Sequence, residues 1–169
     1  KTYLNKGTKF SEGTLLSISV VLLGSTLNIT KLINLGWKGI LYIVLLMTVT
    51  LLGTIFIGRF MKFNEDFILL MASGNSVCGS SAIASTAPVI NAHSKDKGIA
   101  ITMVNVTGTV LMILLPLLTS LLYNNEVLKT SAFLGGILQS VGQVVASASM
   151  ISEEVKEQAT IFKIVRIIF

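Results

Sequence analysis

Charge-free stretches set the pattern of this chain. Eighteen residues without a charge lie between Glu12 and Lys31, 20 between Lys38 and Arg59, and 28 between Asp66 and Lys95. A further 28 lie between Lys97 and Glu126, and 23 between Lys129 and Glu153. A helix needs roughly 20 mostly apolar residues to cross the hydrocarbon of a bilayer. The runs therefore predict transmembrane helices over about 13–30, 39–58, 67–94, 98–123 and 131–151, with a sixth starting near 160. The short connections hold nearly all the charge. Glu153, Glu154, Lys156 and Glu157 read as a solvated loop, as do Glu65 and Asp66.

Most of these runs carry small or polar residues three or four apart, which places each set on one helix face. The sets are Gly13, Ser17, Gly24 and Asn28; Thr50, Thr54 and Gly58; Thr102, Asn105 and Thr109; and Ser131, Gly135, Gln139, Gly142, Ala146 and Ser149. Helices in lipid associate through small residues and interhelical hydrogen bonds. Packing accounts for such stripes, and lining of a polar cavity is the functional alternative.

The third run differs from the others. It starts as apolar helix at Phe67–Met71, and then 13 of the 16 residues from Ala72 to Ala87 are Ala, Ser, Gly, Thr or Cys. Glycine costs about 1 kcal/mol in a helix interior relative to alanine, and Ser and Asn compete for backbone hydrogen bonds. The composition predicts a discontinuous helix. Its first half ends near Gly74 on a left-handed cap. Asn75 to Gly79 is extended, and the second half starts near Gly79-Ser80-Ser81 with serine capping free N–H groups. The N-terminus of that second half would offer N–H groups and a partial positive charge to an anion. The alternative is a tightly packed small-residue helix kinked at Pro88.

Composition agrees with a membrane setting. Apolar residues make up 52% of the 169 and charged residues 12%, too little polar surface to coat a soluble core of this size. The net charge of +5 is spread singly between apolar runs, which favours loops at a membrane surface over a nucleic-acid partner. The single Cys and single His exclude a disulfide framework and a Cys/His zinc cluster. No cofactor is expected. The chain opens at Lys1 and closes at Phe169 inside a new apolar run, so it reads as a piece of a longer protein. Trp37 and Tyr123 fit interfacial anchors. The basic residues balance between the two sides, so no orientation follows.

Gly74-Asn75-Ser76-Val77-Cys78-Gly79-Ser80-Ser81-Ala82-Ile83-Ala84, followed by Ala87-Pro88-Val89-Ile90, resembles the signature of the YeiH-type family of bacterial membrane proteins, to which sulfate export is ascribed. Supporting matches are Ile18–Gly24, Gly142-Gln143-Val144-Val145-Ala146 and Ala159-Thr160-Ile161-Phe162-Lys163. The resemblance implies an all-α, polytopic transmembrane bundle of roughly twice this length, likened to inverted-repeat secondary transporters with one broken helix per repeat. This chain would hold most of one repeat, and the second broken helix would be missing. Family members often carry a His-Glu pair where this chain has Gln139 and Ser140. Its absence removes a proton relay from that run.

The function expected on these grounds is secondary transport of a small, anionic solute by alternating access in a bacterial plasma membrane, multi-pass. The substrate-binding residues would be Asn75, Ser76, Gly79, Ser80, Ser81, Gln139 and Gln143. For the two glutamines, interhelical hydrogen bonding is the alternative role. The partners would be the anion, the bilayer and the remaining half of the chain, and a homo-oligomer is compatible with this. A passive channel and a non-transporting scaffold are the alternatives. An enzyme is not expected. Cys78 has no His or charge near it in sequence, and an intramembrane serine protease would need a base that His93, beside Lys95-Asp96-Lys97, is badly placed to supply.

Overall fold

In the computed structural model the described residues are Ile18, Leu22, 36–124 and 126–168. The chain divides into a unit of residues 1–34 and a unit of residues 35–169. The expected span 13–30 and its stripe of Gly13, Ser17, Gly24 and Asn28 lie outside the described residues, apart from Ile18 and Leu22, which are helical.

The described part of the second unit is all helix: α1 Gly36–Phe60, α2 Glu65–Ser76, α3 Ser80–Val89, α4 Ser94–Tyr123, α5 Val127–Ile137, α6 Val141–Ser149 and α7 Glu153–Ile168. Among the described residues, only α1 and α4 are long and apolar enough to cross a membrane by themselves; α5 is a shorter apolar helix. At 1.5 Å per residue, α1 and α4 reach about 37 and 45 Å. Their outward faces stay apolar and uncovered. Of the 25 residues of α1, only Ile43 and Gly58 are buried.

Two clusters hold the helices together. Leu70, Ile83 and Ala87 meet Ala100 and Val104, which seats α2 and α3 on α4. Leu115, Leu134, Leu138, Val144, Ala148, Val155 and Ala159 join α4 to α5, α6 and α7. The buried face of α4 runs Ala100, Val104, Gly108, Leu115, Thr119. Steps of four and seven keep these residues on one side of the helix. The predicted stripe Thr102, Asn105 and Thr109 falls on the other side and is exposed.

The element boundaries depart from the charge-free runs in four places. Glu65 and Asp66, expected as a solvated turn, occupy the first turn of α2. Lys95-Asp96-Lys97, expected as a connection, lies inside the first turns of α4. The segment 153–157, expected as a loop, opens α7: the Ser152 hydroxyl accepts from Val155 N (3.2 Å), and Glu153 and Glu154 occupy the first turn, where negative charge suits the helix dipole. The run 131–151, expected as one span, is two helices. Leu138 is extended, and Ser140 starts α6 with a capping box in which its hydroxyl accepts from Gln143 N while Gln143 Oε1 accepts from Ser140 N. The interruption shifts the helical phase. Ser131, Gly135 and Gln139 of the predicted stripe are buried, whereas Gly142, Ala146 and Ser149 are exposed.

The amphipathic helix α7 runs through the middle of this unit and buries Val155 and most of the stretch from Ala159 to Arg166. Gly135 on α5 makes the approach feasible. A Cβ there would strike the Ala159 carbonyl oxygen and lie 2.7 Å from Phe162 Cβ.

Candidate functional site

The chain leaves helical geometry between Ser76 and Ser80, near the middle of the third apolar run. Val77 caps α2 with φ −115° and ψ −94°, and its N–H donates to Ser73 O at 3.2 Å. Gly79 turns the chain at φ +75° and ψ −125°, donates to Gly74 O at 2.9 Å and stands at the N-cap of α3. The residue with positive φ is therefore Gly79, not Gly74. Gly74 is helical and serves close packing: a Cβ there would lie 2.7 Å from Ile83 Cδ1.

The serines do not cap α3, contrary to expectation. Its N-cap is Gly79, without a side-chain hydrogen bond. The buried Ser76 hydroxyl donates back to Ala72 O at 2.6 Å. Ser80 and Ser81 are half-buried.

The second interruption, Leu138 to Ser140, meets the first. Gln139 Cβ lies 3.2 Å from where a Cβ on Gly79 would stand. Its Nε2 donates to Asn75 Oδ1 at 3.5 Å. Gln139 is 7% exposed, and its Oε1 has no partner among the described residues.

Both interruptions are held by two cations from α7. Lys163 Nζ donates to Val77 O (2.7 Å) and Leu138 O (2.9 Å). Arg166 Nε donates to Ser76 O (2.8 Å), Nη1 to Gly136 O and Leu138 O, and Nη2 to Asn75 O. Lys163 is 0% and Arg166 1% exposed. Neither has a carboxylate partner among the described residues. The last carbonyls of a helix lack intrahelical donors and carry the negative end of its dipole, so a cation is favoured there. The pair binds the C-terminal ends of α2 and α5 to one helix.

Sequence reasoning assigned neither residue to the site, and named Lys163 within the family-matched stretch Ala159–Lys163. A signal was present. Lys163 and Arg166 are three apart within Ile161-Phe162-Lys163-Ile164-Val165-Arg166-Ile167-Ile168, and a charge inside an apolar run is a functional-site candidate by default.

A cavity of about 210 Å³ opens where the interruptions face α1. Thr50, Thr54, Asn75, Gly136, Gln139 and Arg166 line it, with Leu46 and Ile137. The Thr50 and Thr54 hydroxyls donate to Leu46 O and Thr50 O, each at 2.8 Å, which leaves their lone pairs free. The predicted stripe on α1 thus divides: two threonines line the cavity, and Gly58 packs under Ile68, whose Cγ1 would lie 2.8 Å from an added Cβ.

Of the residues named from sequence, Asn75 and Gln139 come together on this cavity. Ser76 adds its carbonyl to the Arg166 clamp, and Gly79 forms the contact with Gln139. Ser80, Ser81 and Gln143 are not among the lining residues. Gln143 closes the capping box, and its amide lies against Gly108 of α4. Cys78 is half-buried with a free thiol.

Over residues 1–169 the chain matches the family described as Conserved hypothetical protein 698. It is 61% identical over 165 residues to a UPF0324 membrane protein of Clostridium perfringens, covering 98% of this chain and 49% of that protein. It is 51% identical over 164 residues to a UPF0324 membrane protein of Lactiplantibacillus plantarum (97% and 49% covered). A third, from Bartonella henselae, is 32% identical over 166 residues (98% and 47% covered). The chain spans about half the length of the curated relatives it matches. No solved structure matches it. The family match bears out the resemblance carried by Gly74–Ala84, since UPF0324 is the family known as YeiH-like.

Proposed function

Because the chain belongs to the Conserved hypothetical protein 698 family, whose matched relatives are UPF0324 membrane proteins, we propose that it forms half of a multi-pass bacterial plasma-membrane transporter for a small anion. In this reading α2–α3 and α5–α6 are two discontinuous crossings whose interruptions meet inside the bilayer. Irregular backbone at that depth is tolerated only where protein or a water-filled cavity covers it. Both interruptions meet that condition through the α7 clamp and the adjoining cavity. The sequence led us to expect one such crossing in this half; the pair within it takes the place of the single broken helix per repeat.

The observation that carries the anion assignment is the pair of buried cations, Lys163 and Arg166, with no carboxylate partner among the described residues. Among the described residues backbone carbonyl dipoles supply their hydrogen bonds, and a cavity beside an incompletely offset charge attracts an anion. The N-termini of α3 and α6 begin at the same interruptions and add partial positive charge. Arginine has five donors and the carbonyls take four, which leaves one N–H of Arg166 for a solute in the cavity it lines. Asn75 and Gln139 supply amide N–H groups beside it. Ser76 gives its carbonyl to Arg166 and Gly79 packs against Gln139, so these two support the cavity from behind, while Ser80, Ser81 and Gln143 stand outside its lining. Alternating access would rock the clamped helices against α1 around this cavity, with the rest of the protein closing the other side. No acid/base pair for an enzyme enters the scheme.

The test is anion flux in liposomes reconstituted with the full-length protein. A hydrogen bond to a charged group contributes about 1.5–3 kcal/mol, so Asn75→Leu with Gln139→Leu should lower uptake by about tenfold or more while insertion is retained. Unchanged uptake in that variant would refute the site.

A further inference from the structure

Helices unwound at the bilayer midplane usually do two jobs in secondary transporters: their N-terminal ends face an anionic group, and their freed carbonyls and C-terminal ends coordinate the coupling Na⁺. Here the second job is already taken. The carbonyls of Asn75, Ser76, Val77, Gly136 and Leu138 all accept from Lys163 or Arg166. These are the last carbonyls of α2 and α5 and the first ones after them. Both cations are buried and enter from a single helix, α7.

We propose that the Lys163 ammonium and the Arg166 guanidinium are resident substitutes for a coupling cation, so that transport through this site is not driven by a Na⁺ gradient. The inference rests on the transport reading above and adds the identity of what holds the carbonyl side of the site. An alkali ion arriving there would meet two tethered side-chain donors and carbonyls that already accept from them. A covalently tethered cation cannot dissociate and cross, so it stabilises the interruptions in every conformation without coupling to a gradient. Lys163 is thus a positioning residue, and the anion is left to the N–H groups of Asn75 and Gln139 and the one spare donor of Arg166.

The consequence is specific to charge. Removing the ammonium leaves Val77 O without its donor and Leu138 O with only Arg166 Nη1 at 3.4 Å. That vacancy suits a small alkali cation. Lys163→Arg keeps the charge and donors, whereas Lys163→Ala deletes both.

The experiment compares the thermal midpoint of the full-length protein in detergent, in NaCl against choline chloride at equal ionic strength. Wild type and Lys163→Arg should agree in the two salts to within about 1 °C, and Lys163→Ala should gain about 3 °C or more in NaCl. A role in packing alone would lower the midpoint of Lys163→Ala equally in both salts and would overturn the proposal. If Lys163→Ala does not fold, the wild-type arm still decides: a Na⁺-specific midpoint rise, or anion flux that requires an inward Na⁺ gradient, overturns it. Anion flux of equal rate in Na⁺ and choline supports it. Absence of anion flux under every gradient would sink the transport reading, and the midpoints would still tell whether the carbonyls are closed to Na⁺.

Discussion

Glycine does two different things within six residues of this chain. Gly79 is required for its backbone: φ +75° with ψ −125° is a conformation that side-chain-bearing residues rarely adopt, and Gln139 and Val104 lie 3.2 and 3.3 Å from where a Cβ would sit. Gly79→Ala should destabilise the full-length protein by about 1–3 kcal/mol, read as a lower thermal midpoint in detergent. Gly74 is required for its size, because Ile83 lies on it. Gly74→Ala should cost about 1–3 kcal/mol by overpacking. Combined with Ile83→Ala it should cost less than the two single changes added, since the contact that makes each one harmful is shared. Additive losses would show that Ile83 is not the obstacle. The glycines and their power to interrupt a helix were legible in the sequence. Which glycine turns the chain and which one packs was not, because the answer lies with residues 9 and 60 positions away.

At the scale of elements, the interruption in the third run was legible because Gly, Ser and Asn crowd one stretch and oppose helix locally. The interruption at Leu138–Ser140 was hidden inside a run that has no charge to mark it. Its local signal is the spacing Ser140-x-x-Gln143, a capping box that starts a helix wherever the chain is free to bend. Ser140→Ala should remove the hydroxyl that accepts from Gln143 N and cost about 1 kcal/mol, seen as a lower thermal midpoint, while the Gln143 carbonyl keeps the backbone N–H of residue 140. An unchanged midpoint would mean that packing of Val144 and Ala148 alone starts α6. Helix α7 was the element least legible in advance. Its first turn is acidic and its last turns apolar, so charge counting divided it into a loop and a new span. Burial of Lys163 and Arg166 makes it one helix, because their donors are satisfied only when α7 lies across both interruptions.

For the whole molecule, α1 and α4 expose apolar faces that water would not tolerate and lipid would. Trp37, the one tryptophan of this sequence, is 75% exposed beside Lys38 at the start of α1, as an interfacial anchor would be. In a full-length protein with Trp37 as its only tryptophan, brominated lipid should quench its fluorescence more strongly with bromine near the headgroup than deep in the acyl chain. Equal or weaker shallow quenching would remove α1 from the membrane interface. The sequence by itself determined the all-helical class, the membrane setting, the family and the interruption near Gly79, because each follows from local composition: apolar length, scarcity of charge, and helix-breaking residues in one place. The tertiary structure alone decided that a second interruption meets the first, that Asn75 and Gln139 share a cavity with Thr50 and Thr54, and that two cations hold the carbonyls. Those outcomes depend on hydrogen bonds between residues 64 to 91 positions apart, and a buried donor selects its acceptor by position in space, which no spacing along the chain encodes.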